Sequence, residues 1–332
     1  MSDWPELSVE RDHETLAIIH LAAQMLGKIR VAHAPWMNHG WHVALQPNAR
    51  GFSTLPTGAG DGRTFTLTLD LCRHAMVLWV SDESREEVPL NAGSIAALHH
   101  RLIAILDRHG LPTSFNGRPS EIPDAIPFAE DHAPRRYERE SASRIREAFA
   151  AMLPVFARFR AGFSGKASPV QLWWGAFDLA VSKYSGRPAP PHPGGMPGLP
   201  DRITREAYSH EVTSGGFWAG GVTPAEPFFY TYIYPEPGGY RSAGVAHGRY
   251  DETYGEFVLP YAEVQASSDP GRMLGAFLQS VYEAGANLAK WDRAALERAR
   301  VSAVQGLFIL RALRSRGVSA ANLAPSTTRT PT

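Results

Sequence analysis

The chain has 332 residues, enough for two ordinary domains or one domain of two halves. Lys plus Arg (33) balances Asp plus Glu (33) with no basic stripe, so neither a nucleic-acid groove nor an anionic membrane surface is expected as a partner. The single cysteine, Cys72, excludes an intramolecular disulfide and a cysteine zinc cluster; with no charged-then-apolar leader and no apolar run long enough to span a bilayer, a soluble cytoplasmic protein is expected.

Residues 12–26 read as a helix with Leu16, Ile19, Ala23 and Leu26 on one stripe, His20 a satisfied core histidine among them, and Gly27 and Lys28 closing it. Strands are expected at 40–46, 64–70 and 74–80, with an edge strand at 88–90 and Cys72 an inert core thiol. Ser94 caps a helix to His109, stopped by Gly110. Prolines break the connector 112–134. A helix from about Glu138 buries Ile145, Phe149, Met152, Phe156, Phe159 and Phe163, with a kink expected at Pro154. Residues 175–182 alternate as a strand: Phe177, Leu179 and Val181 on an apolar face, Ala176, Asp178, Ala180 and Ser182 on the other. The Pro- and Gly-rich segment 186–200 has the composition of a lid or a disordered loop. Strands follow at 209–213, 228–234 and 256–261. Asp269 and Pro270 open a helix, 292–315 can form another, and 318–332 has the composition of a disordered tail.

The order helix, antiparallel strands, helix thus occurs twice. Laying Trp41, His42, Val43, Ala44 and Leu45 over Phe177, Asp178, Leu179, Ala180 and Val181 suggests an internal duplication; the alternative is that amphipathic elements match one another by chance. The expected fold is α+β: two similar halves, 1–136 and 137–290, each an antiparallel sheet with helices on one face, joined along the His42 and Asp178 strands. Residues 291–332 are read as a C-terminal helix and tail.

Several motifs are similar to those of an uncharacterised bacterial family, a conserved domain of unknown function. They are NHGWHV at 38–43, WGAFDLAVSKYSGR at 174–187, EAYSHE at 206–211, GGFWAGG at 215–221, YIYPEP at 232–237 and FVLPYAEV at 257–264. The resemblance extends to about residue 297 and supplies no activity. At Gly40 the family pattern implies a bulkier aromatic, so a wider pocket is expected here.

An ionisable side chain among small residues leaves room for a ligand, and His42 and Asp178 both fit that description. An unpaired carboxylate in an apolar strand is costly, so Asp178 needs a partner or a ligand. Ser209-His210-Glu211 adds an imidazole and a carboxylate beside a glycine-rich loop. Three readings compete. In the first, a small-molecule enzyme uses His42, Asp178, His210 and Glu211 for acid–base chemistry in a pocket between the halves. Lys166, Lys183 and Arg187 then hold an anionic substrate group, while Trp174, Trp218, Tyr232, Tyr234 and Glu236 line the pocket. In the second, His42, His210 and one or both of Asp178 and Glu211 bind a divalent ion, iron or zinc by the ligand mix. In the third, the cavity binds a ligand or partner without catalysis. His39 and His42 form an H-x-x-H, but in a strand they face opposite sides. No dinucleotide, phosphate-loop or serine-hydrolase motif is present, so the cofactor is unknown.

Overall fold

The computed structural model describes residues 4–195 and 200–298. Its centre is α1, Val9–His33, whose side chains from Leu16 to Ile29 are buried almost without exception. A helix buried around its whole circumference, and largely apolar, belongs inside a protein. The helix is longer than its sequence reading, and by length and composition it could cross a bilayer; here 89 % of its most apolar window is enclosed by the rest of the chain.

Gly27, a helix stop by sequence, lies well inside α1. Its lack of a side chain is used differently: a Cβ there would collide with the indole of Trp174, which packs directly on the helix. Gly27→Ala is therefore expected to lower stability by about 1–3 kcal/mol, the usual cost of overpacking, although alanine gains roughly 1 kcal/mol in helix propensity. A urea midpoint at or above that of the parent would contradict this.

The first sheet contains β1 (Gln46–Asn48), β2 (Gly51–Ser53), β3 (Thr57–Gly58), β4 (Thr64–Asp70), β5 (Ala75–Val80) and β6 (Arg85–Pro89). It is antiparallel in the order β1-β2-β4-β5-β6, with β3 beside β4. Phe65, Leu67 and Leu69 alternate inward along β4. Helix α2 (Ile95–Arg108) follows, its Ser94 hydroxyl accepting from the Ala97 amide. Helix α3 (Arg139–Ala161) runs through Pro154.

The second sheet has β7 (Gln171–Trp173), β8 (Asp178–Pro188), β9 (His210–Trp218), β10 (Phe228–Tyr234), β11 (Arg249–Asp251) and β12 (Glu256–Pro260). It is again antiparallel, in the order β11-β12-β10-β9-β8-β7. Short helices α4 (Asp201–Ala207) and α5 (Tyr261–Gln265) interrupt it, and α6 (Pro270–Leu288) and α7 (Arg293–Leu296) follow. Phe149, Phe156 and Phe159 of α3, with Phe277 and Leu278 of α6, bury Leu179, Val181, Phe217 and Phe229 on one face of the sheet. The α+β architecture with two antiparallel sheets is the one read from sequence.

The sheets meet at a pair of backbone hydrogen bonds, Leu45 N to Leu172 O (3.0 Å) and Leu172 N to Leu45 O (2.8 Å). They do not meet along His42 and Asp178. Gly51, which opens β2, stands as far from Leu45 as Asp178, which opens β8, stands from Leu172.

Residues 40–44 are a turn instead of a strand: His39 and Gly40 take φ of 58° and 70°, which an extended chain does not allow. Open space stands where a Gly40 side chain would project. Residues 174–177 are likewise a turn, with Phe177 at φ 65°, so the strand begins only at Asp178. Cys72 is exposed because β4 ends at Asp70, whose carboxylate accepts from the amides of Cys72 and Arg73. Part of the 186–200 segment extends β8 to Pro188. Most of the helix and tail expected after residue 291 lies outside the described residues.

Candidate functional site

Helices α3 and α6 cover one face of the second sheet. The opposite face carries Asp178, Ala180, Ser182 and Tyr184 from β8, Ser214 and Gly216 from β9, Tyr230 and Tyr232 from β10, and Glu256 from β12. Its centre is small because aromatic rings lie flat across it. A Cβ at Gly216 would strike the ring of Tyr230, which crosses β9 there to donate its hydroxyl hydrogen to Asp178. Tyr232 stacks beside Tyr230, with ring centroids 6.2 Å apart, and its hydroxyl meets that of Tyr208 at 2.8 Å. Asp178, Tyr208, Tyr232 and Glu256 all keep part of their surface in solvent. The result is a shallow groove paved with tyrosine.

The first half supplies one wall. His20, Gln24 and Lys28 form a buried polar stripe on α1, one turn apart. His20 bonds Gly175 O at 2.9 Å; Gln24 donates to Gly175 O (2.9 Å) and Ser120 O (2.7 Å) and accepts from Ser120 N; Lys28 donates to Ser120 Oγ (2.8 Å). These bonds bring the 120–121 loop against the turn before Asp178. Glu121 consequently lies on the bare Cα of Gly175, where any Cβ would collide with its carboxylate.

Three carboxyl groups therefore share one environment. Burial pushes Asp178 up to about 6 despite the opposing hydrogen bond from Tyr230. Burial and the nearby Asp178 charge push Glu121 to about 7, opposed by Lys28. Glu256 rises to about 8 through burial, Asp178 and Asp251. Strong burial coexists with solvent contact here, as on the floor of a groove, and burial raises a carboxyl pKa. Gln171 is 0 % exposed, shares the face of its register partner Ala180, and has no partner for either amide atom among the described residues.

At the other end of β8, the His39 ring stacks on Tyr184 (4.4 Å) and meets His210 edge-on (5.9 Å). Lys166 Nζ is 2.6 Å from His39 Nε2.

The residues singled out by sequence thus divide. Asp178 and Tyr232 lie in the groove. Trp218 borders it, its indole N–H donating to Ala176 O at 2.9 Å. Tyr234 shares the face but donates to Pro190 O at 3.0 Å. His210 and Lys166 belong to the His39 cluster. His42 is buried in the turn, its ring tilted against Trp36 (4.7 Å) with Nδ1 accepting from Met37 N, and burial and Arg30 lower its pKa. Among the described residues it shares no hydrogen-bond partner with Asp178. Trp174 clamps α1 and donates to Val43 O at 2.9 Å. Glu211 accepts from Arg187 (2.6 Å) and Ser185 (2.9 Å), and Arg187 also donates to Ala289 O, so this pair ties the sheet to the end of α6. Glu236 turns away to Arg241 and Tyr250. Lys183, between Ser182 and Tyr184, is on the helix-covered face. The four acid–base candidates are accordingly not assembled at one point. Among the described residues no three His, Cys, Asp or Glu side chains converge as metal ligands.

Glu121, Glu256, Tyr230 and His39 complete the two clusters. Alternation along β12 carries a signal for Glu256 and alternation along β10 one for Tyr230; nothing local marks Glu121, which sits in a proline-broken loop. Two other depressions are less equipped. One, beside the start of α1, is apolar, and its Asp12 is already bound by Arg11 and Arg144. The other, on α2, is open and lined by His99, His100 and His132.

No curated protein and no solved structure matches this chain. Residues 4–298 match the model of a family of unknown function, DUF5996, and the chain belongs to that family.

Proposed function

We propose that the tyrosine-paved groove is the acid–base site of a small-molecule enzyme, with Asp178 as proton acceptor and Glu256 as proton donor. The observation that supports this is that three carboxyl groups, Asp178, Glu121 and Glu256, gather at one part-exposed aromatic floor, where burial and mutual repulsion push them up to about 6, 7 and 8. Groups titrating near neutral pH transfer protons best, and environments that push two acids apart assign the roles. A structural ion pair would look different: Asp178 is held by a neutral tyrosine and has no Lys or Arg partner among the described residues. Tyr230 positions the carboxylate, and Glu121 with Lys28 brings the first half into the site.

The test is a carboxyl-carbon NMR titration of the isotopically labelled protein. At least two side-chain carboxyls should titrate above about pH 5.5, and their signals should shift with ligands found by screening small molecules. If every carboxyl titrates in the ordinary range near pH 4, the proposal is lost. A non-catalytic ligand site is the second reading, supported by the stacked Tyr230 and Tyr232 and the unsatisfied Gln171 amide. Turnover abolished by Glu256→Gln with binding retained would decide for catalysis.

We also propose that the halves arose by duplication, related by an approximate two-fold axis through the Leu45–Leu172 pair. Superposing β1–β2 on β7–β8, with their preceding helices, tests it.

A further inference from the structure

We propose that Lys166 is a nucleophilic amine that forms an imine with a small aldehyde, with His39 as its proton acceptor. This site lies at the other end of β8 from Asp178, sharing Tyr184 with the groove face, and does not depend on the reading of the carboxyl groove.

The geometry fixes which way the protons point. His39 Nδ1 is 3.3 Å from the carbonyl oxygens of Glu206 and Ala207, and these can only accept. Nδ1 therefore carries the hydrogen and Nε2 presents its lone pair, to which Lys166 Nζ donates at 2.6 Å. The pair cannot hold a proton on both facing nitrogens, so moving one proton from Lys166 to His39 frees the amine lone pair. Both groups have pKa values lowered by burial, and each carbonyl on Nδ1 supports the imidazolium that forms. No carboxylate pairs with Lys166 among the described residues, so no salt bridge competes for it. Its backbone is fixed, with Lys166 O accepting from Tyr184 N at 3.0 Å, while its side chain reaches solvent.

The rings around it select the chemistry. Nζ lies 5.7 Å from the Trp41 centroid and 5.4 Å from that of Tyr184. The amine nitrogen bonds the aldehyde carbon, the carbonyl pair moves to oxygen, and that oxygen takes the proton held by His39. Loss of water from the carbinolamine then leaves a protonated imine. The lysine ammonium and the aldehyde together become the iminium and one water. The positive charge stays between the two rings, and its cation–π contacts are kept. Acylation would erase the charge and those contacts.

The test is reductive trapping with benzaldehyde and cyanoborohydride on the full chain, read by peptide mass mapping. Lys290, also exposed, is an internal reference. Lys166 should label about tenfold or more faster than Lys290, as activated lysines do. Acetic anhydride should show a much smaller preference. His39→Gln should bring Lys166 to the Lys290 rate; if that variant does not fold, the ratio in the unmodified protein still decides. Equal aldehyde labelling of the two lysines, or an equal preference with the anhydride, would overturn the proposal.

Discussion

Replacing Lys183 with methionine is expected to stabilise the protein by about 1–4 kcal/mol near pH 6, the range for exchanging a buried charge for a packed apolar side chain. Lys183 is 2 % exposed and lies in a cage of Phe159, Tyr282 and Phe163, with Nζ 3.3, 4.2 and 5.6 Å from their ring centroids. Glu297 and Glu283 attract the charge and Arg160 and Arg293 repel it, but burial dominates and pushes the ammonium down to about 7. Cation–π contacts recover roughly 0.5–2 kcal/mol, less than a shift of this size costs at about 1.4 kcal/mol per pKa unit. Between about 7 and 10.5 the unfolded chain binds more protons than the folded one at this residue, so its contribution to stability rises with pH across that window. The advantage of Lys183→Met should accordingly be full below about pH 7 and vanish towards pH 10.5. Urea unfolding at both ends measures it. A variant less stable throughout would show that the aromatic cage favours the ammonium more than burial opposes it.

Asp178→Asn is expected to have the opposite pH signature from an ion-pair deletion. The folded carboxyl, near 6, sits above its ordinary 3.8, so its contribution is fully present below about pH 4 and is lost as pH rises through 6. Glu121 and Glu256 act in the same direction, through about 7 and 8. Asparagine keeps an acceptor for Tyr230 and removes the charge. The variant should be more stable than the parent by about 1–2 kcal/mol at pH 8, a figure discounted for the partial solvent contact, and no more stable at pH 4. A gain in stability coupled to loss of ligand response is the usual mark of a functional residue held at a cost to the fold. Loss of stability at both pH values would instead make the carboxylate structural, and the acid–base proposal would fall with it.

Period-two alternation placed Asp178, Ala180 and Ser182 together on one face of β8, and the tyrosines of β10 on one face, because side-chain direction in a strand depends only on position. The same rule places Lys183 on the buried face, opposite Asp178. Ser94 and Asp269 marked helix starts because capping is local chemistry. His42 was misplaced because a turn with two positive φ values interrupts the alternation, so His39, not His42, meets Lys166 and His210.

Strand faces, caps and the two-sheet architecture were thus settled by the sequence itself, since each depends on neighbours a few residues away. Tertiary structure alone decided that Glu121 lies against Gly175, that Glu256 joins Asp178 and that the sheets meet at Leu45 and Leu172. These groups are far apart along the chain: the buried stripe of His20, Gln24 and Lys28 on α1 holds Glu121 of the first half close enough to feel Asp178, and strand pairing within the second sheet brings Glu256 to it.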